Sequence, residues 1–436
     1  MKKPLGKQRS GLVAALDIGS SKVCCFVARI GDGAGTALLP RVASMGGGAG
    51  IPGIRVGGIG HQISRGVRAG QIVDTDELQT SILNAVHAAE KMAGETLGGV
   101  IVNLSGGWPM SQTVGVEVSI DGHEVGDTDV RRVLDQGRSL EGLDDHELIH
   151  TIPVGFAIDG ANGIRDPRGM FGQTLGAHIH VVTAASGAVK TLRTVIERCH
   201  LDIEATVIGP YASGLATLVE DEMDLGVTVI DMGGGTTSIA VFFDGNVVYT
   251  DCISIGGQHV TSDIARGLST PILSAERIKT LYGSAMASPL DDQEVIDVPQ
   301  IGEEEHAHPN HVPKSLLVGI VRPRLEETFE LVRSRLEASG FDKIAGRRVV
   351  LTGGASQLPG VRELAQSVLD KQVRMGKPNK VMGLAEAAGG PAFATCAGLL
   401  VYAAQPQMDA SRLLPLPQPE QAGLVGRVGS WLRAHF

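Results

Sequence analysis

Two short segments of the same design, far apart in the chain, constrain its fold more than any other feature. Asp17-Ile18-Gly19-Ser20-Ser21-Lys22 follows the apolar run 12–16 and leads into a second apolar run, 23–28. Asp231-Met232-Gly233-Gly234-Gly235-Thr236-Thr237 lies in the same way between runs 227–230 and 239–243. Each reads as strand, tight turn, strand. Glycine lets such a turn adopt positive φ and lets backbone N–H groups approach a phosphate, while hydroxyls supply further donors. An aspartate at each strand end suits Mg²⁺, which keeps most of its waters and needs only one or two carboxylates. One Gly-rich hairpin is ordinarily just a hairpin. Two of them about two hundred residues apart, followed by the turn Leu351-Thr352-Gly353-Gly354-Ala355-Ser356, are hard to get by chance and point to a phosphate site.

With 436 residues the chain is too long for a single core. Its 59 glycines suit an α/β protein full of tight turns better than a bundle of long helices. A net charge of −10 and the lack of an aromatic-interleaved basic stretch exclude nucleic acid as the main partner. Cys24, Cys25, Cys199, Cys252 and Cys396 form no C-x-x-C pair and read as reduced, mostly buried cytosolic thiols. Lys2, Lys3, Lys7 and Arg9 precede an apolar segment that runs straight into the first hairpin, so no signal peptide is expected. No apolar run is long enough to span a membrane.

Between the hairpins, Asp74 with Glu77 predicts a capping box. Behind it Leu78, Ile82, Ala85, Val86, Ala89, Met92 and Ala93 recur at helical spacing up to Gly94. Residues 95 to about 176 read as an inserted small α/β subdomain, with strands near 100–104, 113–120 and 149–158 and a helix capped near Asp127. The main fold is expected to resume with a strand at 177–183 and helices at 188–199 and 211–219. After the second hairpin come helices at 260–268 and 274–282. An exposed loop is expected at 291–313, where Glu303, Glu304, Glu305, His306, His308 and His311 sit among prolines without helical spacing, a poor metal pattern. A long helix marked by Leu317, Val321, Leu325, Phe329, Val332 and Leu336 follows, with Pro323 expected to kink it or to start its second half.

This succession resembles the actin-like ATPase superfamily, whose five elements fall here in family order. They are the phosphate loop at Asp17 to Lys22, a connecting helix at Tyr211-Ala212-Ser213-Gly214-Leu215, the phosphate loop at Asp231 to Thr237, the adenosine loop at Leu351 to Gln357, and a second connecting helix at Phe393-Ala394-Thr395-Cys396-Ala397-Gly398-Leu399-Leu400. Within it the chain resembles the FtsA family of bacterial cell-division proteins. The segments Ile63-Ser64-Arg65-Gly66-Val67-Arg68-Ala69-Gly70, Ala89-Glu90-Lys91-Met92-Ala93-Gly94 and Val260-Thr261-Ser262-Asp263-Ile264-Ala265, the place of the insert and the C-terminus carry that likeness.

The resemblance implies an α/β, actin-like two-lobed fold with ribonuclease-H-like halves, an inserted small α/β subdomain and a C-terminal amphipathic helix. The implied borders are 1–94, 177–222 and about 391–404 for subdomain 1A, and 95–176 for the insert, 1C. Subdomain 2A takes 223–256 and 326–390, and 2B takes 257–325. Residues 405–419 are a flexible linker and 420–436 the membrane-targeting helix.

The tail can be read without any family. Gln405, Pro406, Gln407, Pro415, Pro417, Gln418 and Pro419 are linker composition. Beyond them Leu424, Val425, Val428, Trp431, Leu432 and Phe436 fall within an arc of about 140° on a helical wheel, with Arg427 flanking it and Arg433 opposite. Such a helix lies in a lipid interface with its cations near anionic headgroups. The alternative is a terminal helix docked on the protein's own core, which so long a Pro-rich strap argues against.

The resemblance further implies ATP with Mg²⁺ between the halves. Asp17 and Asp231 would be the outer-sphere metal carboxylates; Gly19, Ser20, Ser21, Lys22, Gly233, Gly234, Gly235, Thr236 and Thr237 would lie about the phosphates. Gly353, Gly354 and Ala355 would pass beside the nucleoside, and Glu276 and Lys279 would contact it, although an i, i+3 pair on a solvated helix face looks the same. It implies self-association into filaments, partnership with the tubulin-like polymer FtsZ at the inner face of the cytoplasmic membrane, and recruitment of later division proteins. FtsZ's tail would dock on 256–324, where Lys314, Arg322 and Arg324 are either contacts or ordinary surface charges. No catalytic residue is assigned beyond Asp17 and Asp231 as candidates. Active ATPases of this fold open the first connecting helix with Glu or Gln to orient water, whereas here Val207-Ile208-Gly209-Pro210-Tyr211 offers no such side chain unless Thr237 or Asp231 takes over. The rival reading is a small-molecule kinase of the same fold, which needs a catalytic carboxylate and has no use for a membrane helix; a chaperone-type ATPase needs a longer C-terminal domain.

Overall fold

The structure is a computed structural model that describes residues 11–31, 53–137, 145–302 and 310–405. The apolar runs beside the two glycine turns become adjacent antiparallel strands, Gly11–Ile18 with Lys22–Ile30 and Val227–Met232 with Thr237–Phe243. Each hairpin seeds a five-stranded sheet of the same plan. In the first the order is Asp202–Ile208, Gly99–Leu104, Gly11–Ile18, Lys22–Ile30, Ile54–Ile63. In the second, from the opposite edge, it is Asn246–Ile253, Thr237–Phe243, Val227–Met232, Arg348–Thr352, Gln372–Met375. Both place three antiparallel strands beside two parallel ones, so the chain carries one topology twice.

The hairpin strands are nearly continuous in apolar residues because both sheet faces are covered. Val13, Ala15 and Phe26 of the first sheet share one core with Val227, Val229 and Phe242 of the second, joined by Leu215, Leu399 and Tyr402 of two helices, Gly209–Thr217 and Ala394–Ala404. These helices cross so closely that a Cβ on Gly398 would lie 1.8 Å from the Ala212 carbonyl oxygen. Ala14, Leu16 and Ile18 face the other way, onto helices Thr75–Ala93 and Ser186–Arg198. Asp74 caps the former by accepting from the Asp76 and Glu77 N–H groups, and Gly94 closes it in the left-handed conformation. Met92, expected on its apolar face, is exposed instead. In the second half the helices Gly257–Gly267, Ile272–Tyr282 and Lys314–Ser339 share a core with Ile230, Ile239 and Val241.

Between Leu104 and Ser186 the chain builds a separate four-stranded sheet ordered Met110–Ser119, Thr174–Ala185, His146–Ile158, Ala161–Ile164, with helix Asp127–Gln136 packed on one face. Two strands therefore change sides relative to the expected borders. The strand near 100–104, read as part of the insert, is central in the first sheet. The strand near 177–183, read as the return of the main fold, is central in the insert's sheet. An apolar run announces burial on both faces but not which sheet it joins, since its partners are distant in sequence.

One local expectation also changes. Residues 291–313 are no plain loop: Val295–Val298 pairs with Asn310–Pro313, and Ile296, Val298 and Val312 are buried beneath the hairpin. Its His311 meets Asp297 at 2.7 Å, while Glu303, Glu304, Glu305, His306 and His308 lie outside the described residues. Among the described residues no cluster of metal-ligating side chains forms. The helix Lys314–Ser339 runs through Pro323 without a break, and the carbonyl that the proline cannot pair with is that of Gly319. Residues 406–436, with the expected strap and amphipathic helix, and the basic residues Lys2, Lys3, Lys7 and Arg9 lie outside the described residues. No described helix is long and apolar enough to cross a membrane.

Candidate functional site

The two glycine turns meet tip to tip. Each is closed by the same bond, Gly19 N–H to the Lys22 carbonyl at 3.0 Å and Gly233 N–H to the Thr236 carbonyl at 2.8 Å. A Cβ on Gly234 would lie 1.8 Å from Ser21 Oγ, and one on Gly235 2.3 Å from Ser20 Oγ, so glycine here is a condition of the approach. Gln258 ties the halves together, its backbone N–H donating to the Gly234 carbonyl at 2.7 Å and its amide Nε2 to the Ser20 carbonyl at 3.0 Å. The tips touch one another, so phosphates enter between them only when they part.

Beneath the tips lie the two aspartates, Asp17 buried and Asp231 half-buried. Asp231 accepts from Ser213 Oγ and, at 3.0 Å, from Thr395 Oγ1, one hydroxyl from each connecting helix. Burial pushes its carboxyl above the ordinary range against the pull of these two bonds and of Lys22. Among the described residues Asp17 has no such partners to offset its burial, which pushes it up to about 7; the Lys22 charge lowers it and the Asp231 charge raises it. Two desolvated carboxyl groups that repel one another are a poor arrangement by themselves and a good one around a divalent cation. The donor set thus fits Mg²⁺ on chemistry, oxygen-only and with two carboxylates.

Lys22 is placed differently from the expectation that it meets a phosphate. Its ammonium donates to the Ala392 carbonyl and sits 3.4 Å from the centroid of the Phe393 ring, pinning the entry to the second connecting helix. Thr237 also turns away: its hydroxyl donates to the Ile255 carbonyl at 2.8 Å, which removes it as a stand-in for the missing water-orienting group. Gly209 opens the first connecting helix as expected, and the nearest atom to a Cβ built there is Thr395 Cγ2 at 4.0 Å.

On the nucleoside side, Gly353 has φ 85°, and a Cβ there would meet Asp231 Oδ1 at 2.3 Å and the Met232 carbonyl at 2.5 Å. A side chain at this position collides with the metal carboxylate before it could touch any ligand. Gly353→Ala is therefore expected to lower thermal stability and nucleotide affinity together, whereas Gly354→Ala, whose Cβ finds only Ala392 Cβ at 3.7 Å, leaves both near wild type in melting and binding assays. Ala355 stands over Gly257, 3.1 Å from the position of its missing Cβ. Beside it the Lys279 ammonium reaches Thr261 Oγ1 at 2.8 Å, Glu276 Oε2 at 2.6 Å and the Gly257 carbonyl at 3.2 Å. The Glu276 and Lys279 pair is thus anchored to a neighbouring helix at the lip of the cleft and is not a freely solvated face.

Ser213, Thr395 and Gln258 were not singled out by sequence reasoning. The first two lie in the connecting segments, but nothing local says that both hydroxyls face Asp231. Lys314, Arg322 and Arg324 are each paired within the second half, with Glu294 at 2.8 Å, Glu326 at 2.7 Å and Asp263 at 2.6 Å.

Comparison with known proteins agrees with this architecture. A family model described as cell division protein FtsA matches residues 228–398, and one described as an SHS2 domain inserted in FTSA matches residues 106–183. Cell division protein FtsA of Rhizobium meliloti (strain 1021) is 46% identical over 440 residues, covering 100% of this chain and 97% of that protein. FtsA of Escherichia coli (strain K12) is 32% identical over 433 residues, covering 98% of each. Among solved structures, a chain of the PilM-PilN type IV pilus biogenesis complex superposes with a TM-score of 0.61 at 17% identity, covering 90% of this chain and 99% of that one. MreB5 of Spiroplasma citri superposes with a TM-score of 0.50 at 13% identity, covering 90% and 96%. The fold is actin-like with an inserted SHS2 domain, and the chain belongs to the FtsA family of cell division proteins.

Proposed function

We propose that this chain binds ATP with Mg²⁺ between its halves, assembles into filaments with further copies of itself, and tethers FtsZ to the inner face of the cytoplasmic membrane through its C-terminal helix, where later division proteins gather. The observation that carries the nucleotide reading is the pair of facing glycine tips above two desolvated carboxylates, one from each half. MreB5 of Spiroplasma citri, which has the same fold, is bound to ADP in one solved structure and to AMPPNP in another. Asp17 and Asp231 would hold the metal through water, and the N–H groups and hydroxyls of Gly19, Ser20, Ser21, Gly233, Gly234, Gly235 and Thr236 would receive the phosphates as the tips separate. Mg²⁺ supplies charge neutralisation of the phosphate oxygens. Ala355, Glu276 and Lys279 would border the nucleoside.

Hydrolysis should be slow. Gly209 carries no side chain to orient water, and Thr237 is committed to a backbone carbonyl. Positioning and general-base help are commonly worth about 10² to 10⁴ in rate, so steady-state turnover is expected far below the ~10 s⁻¹ of an ordinary enzyme. Gly209→Glu, whose Cβ would meet nothing nearer than Thr395 Cγ2 at 4.0 Å, is expected to raise turnover with nucleotide affinity retained. Wild-type turnover at the rate of a sugar kinase would refute this part of the reading.

The FtsZ tail is proposed to dock on residues 256–324, where Lys314, Arg322 and Arg324 already hold Glu294, Glu326 and Asp263, carboxylates that those of a peptide would have to displace. Co-pelleting with anionic liposomes, ATP and FtsZ tests the whole reading: FtsZ should sediment with vesicles only when this protein is present. Recovery of FtsZ in the supernatant with the protein fully vesicle-bound would remove the tethering role.

A further inference from the structure

The segment Ser64-Arg65-Gly66-Val67-Arg68-Ala69-Gly70 takes no part in the site described so far, yet it ends against both glycine turns. Val67 pairs with Ile72 and Arg68 with Gln71, which leaves Ala69-Gly70 as a two-residue turn. Both have positive φ, 48° and 79°, as a type I′ turn requires. An alanine in that conformation is unfavourable unless its surroundings hold it. Gly70 N–H donates to Ser20 Oγ at 2.9 Å, and Ser64 N–H donates to the Ser21 carbonyl at 3.0 Å. A Cβ on Gly235 would come within 2.8 Å of Ala69 Cα, and one on Gly70 within 2.9 Å of Thr236 Cγ2. Three hairpin tips, two from the first half and one from the second, meet at a single point.

Behind this third tip lies the entry to the insert. A Cβ on Gly106 would sit 2.0 Å from the Gly70 carbonyl oxygen, and one on Gly70 2.7 Å from that of Ser105. A cavity of about 220 Å³ opens beside it, lined by Val67, Gly70, Gln71, Ser105, Gly106 and Trp108 among others. The tip therefore has room to retreat and a connector to push.

Charge points the same way. A triphosphate with one Mg²⁺ stays negative, but the side chains at the two phosphate tips are neutral. Lys22 is engaged with Ala392 and Phe393, and Lys279 sits with Glu276 at the nucleoside side. Arg68, next in sequence to the residue that touches Gly235, is exposed and makes no ion pair among the described residues.

We propose that this hairpin is a third phosphate-recognition element that distinguishes a nucleoside triphosphate from a diphosphate. When the terminal phosphate parts Ser20 and Ser21 from Gly234 and Gly235, the Ala69-Gly70 turn backs into the cavity. The Gly70 N–H passes from Ser20 Oγ to a phosphate oxygen, and Arg68 pairs with the terminal phosphate. The displacement reaches the insert through Ser105 and Gly106. This inference rests on the nucleotide reading above.

The chain has two tryptophans, Trp108 and Trp431. In full-length Trp431→Phe protein, Trp108 alone reports on the cavity it lines. Mg·ATP should change its fluorescence and Mg·ADP should not. Arg68→Ala should weaken Mg·ATP about tenfold or more, the usual scale for losing a charge-assisted contact, leave Mg·ADP affinity unchanged, and abolish the fluorescence difference, with Arg68→Lys restoring part of each. Equal effects of Arg68→Ala on both nucleotides, or the same Trp108 signal with ATP as with ADP, would overturn the inference while leaving nucleotide binding intact. Wild-type protein that binds neither nucleotide would overturn the underlying reading and this one with it.

Discussion

Asp17→Asn protein is expected to melt several degrees above wild type at about pH 8, and to lose the further stabilisation that Mg²⁺ and nucleotide confer on the wild type. The carboxyl of Asp17 is pushed up to about 7 from an ordinary value of 3.8. Between those values the native state holds a proton that the unfolded chain has released, so native stability falls as pH rises through that window and the loss is complete above about 7. A shift of this size corresponds to a few kcal/mol as an order of magnitude, although Lys22 and Asp231 share in it. Asparagine removes the charge and with it the cost. Melting curves across the window test this: the advantage of the variant should shrink towards zero near pH 4 and grow to its full size above pH 7. Asparagine cannot replace a carboxylate opposite Asp231 on a hydrated cation, so Mg·ATP should raise the melting temperature of wild type alone. A variant no more stable than wild type at pH 8, or one that responds to Mg·ATP as wild type does, would contradict this role for Asp17.

Trp431→Glu is expected to move the protein from vesicle pellet to supernatant at physiological salt. In the proposed interfacial helix the substitution would remove the largest apolar side chain from the face of Leu424, Val425, Val428, Leu432 and Phe436, and would place a charge against the acyl chains. Burial of a tryptophan of this kind is worth several kcal/mol, so binding should weaken on the order of a hundredfold. Neutralising Arg427 and Arg433 together should do less, at roughly 1 kcal/mol for each cation near an anionic surface. Sedimentation with anionic and with neutral vesicles separates the two contributions. Full vesicle binding by Trp431→Glu protein would mean that the tail is not the anchor.

What the sequence by itself determined is what short-range chemistry controls. Glycines flanked by apolar runs specified both hairpins and their aspartates; Asp74 and Gly94 bounded the helix Thr75–Ala93; the order of motifs identified the fold. The lack of a water-orienting side chain at Gly209 was readable too, because a missing side chain is a property of one position. Tertiary structure alone decided which sheet Gly99–Leu104 and Thr174–Ala185 joined, since strand pairing is chosen among distant partners of similar hydrophobicity. It also decided that Val295–Val298 would find Asn310–Pro313 across an acidic stretch. The same holds within the site. That Ser213 and Thr395 both reach Asp231, that Lys22 turns to Ala392, and that Ala69-Gly70 closes on two other tips depend on how helices cross and sheets face one another. Such contacts join residues far apart in the chain, and a hydroxyl, an ammonium or a turn carries no local mark of the partner that packing will bring to it.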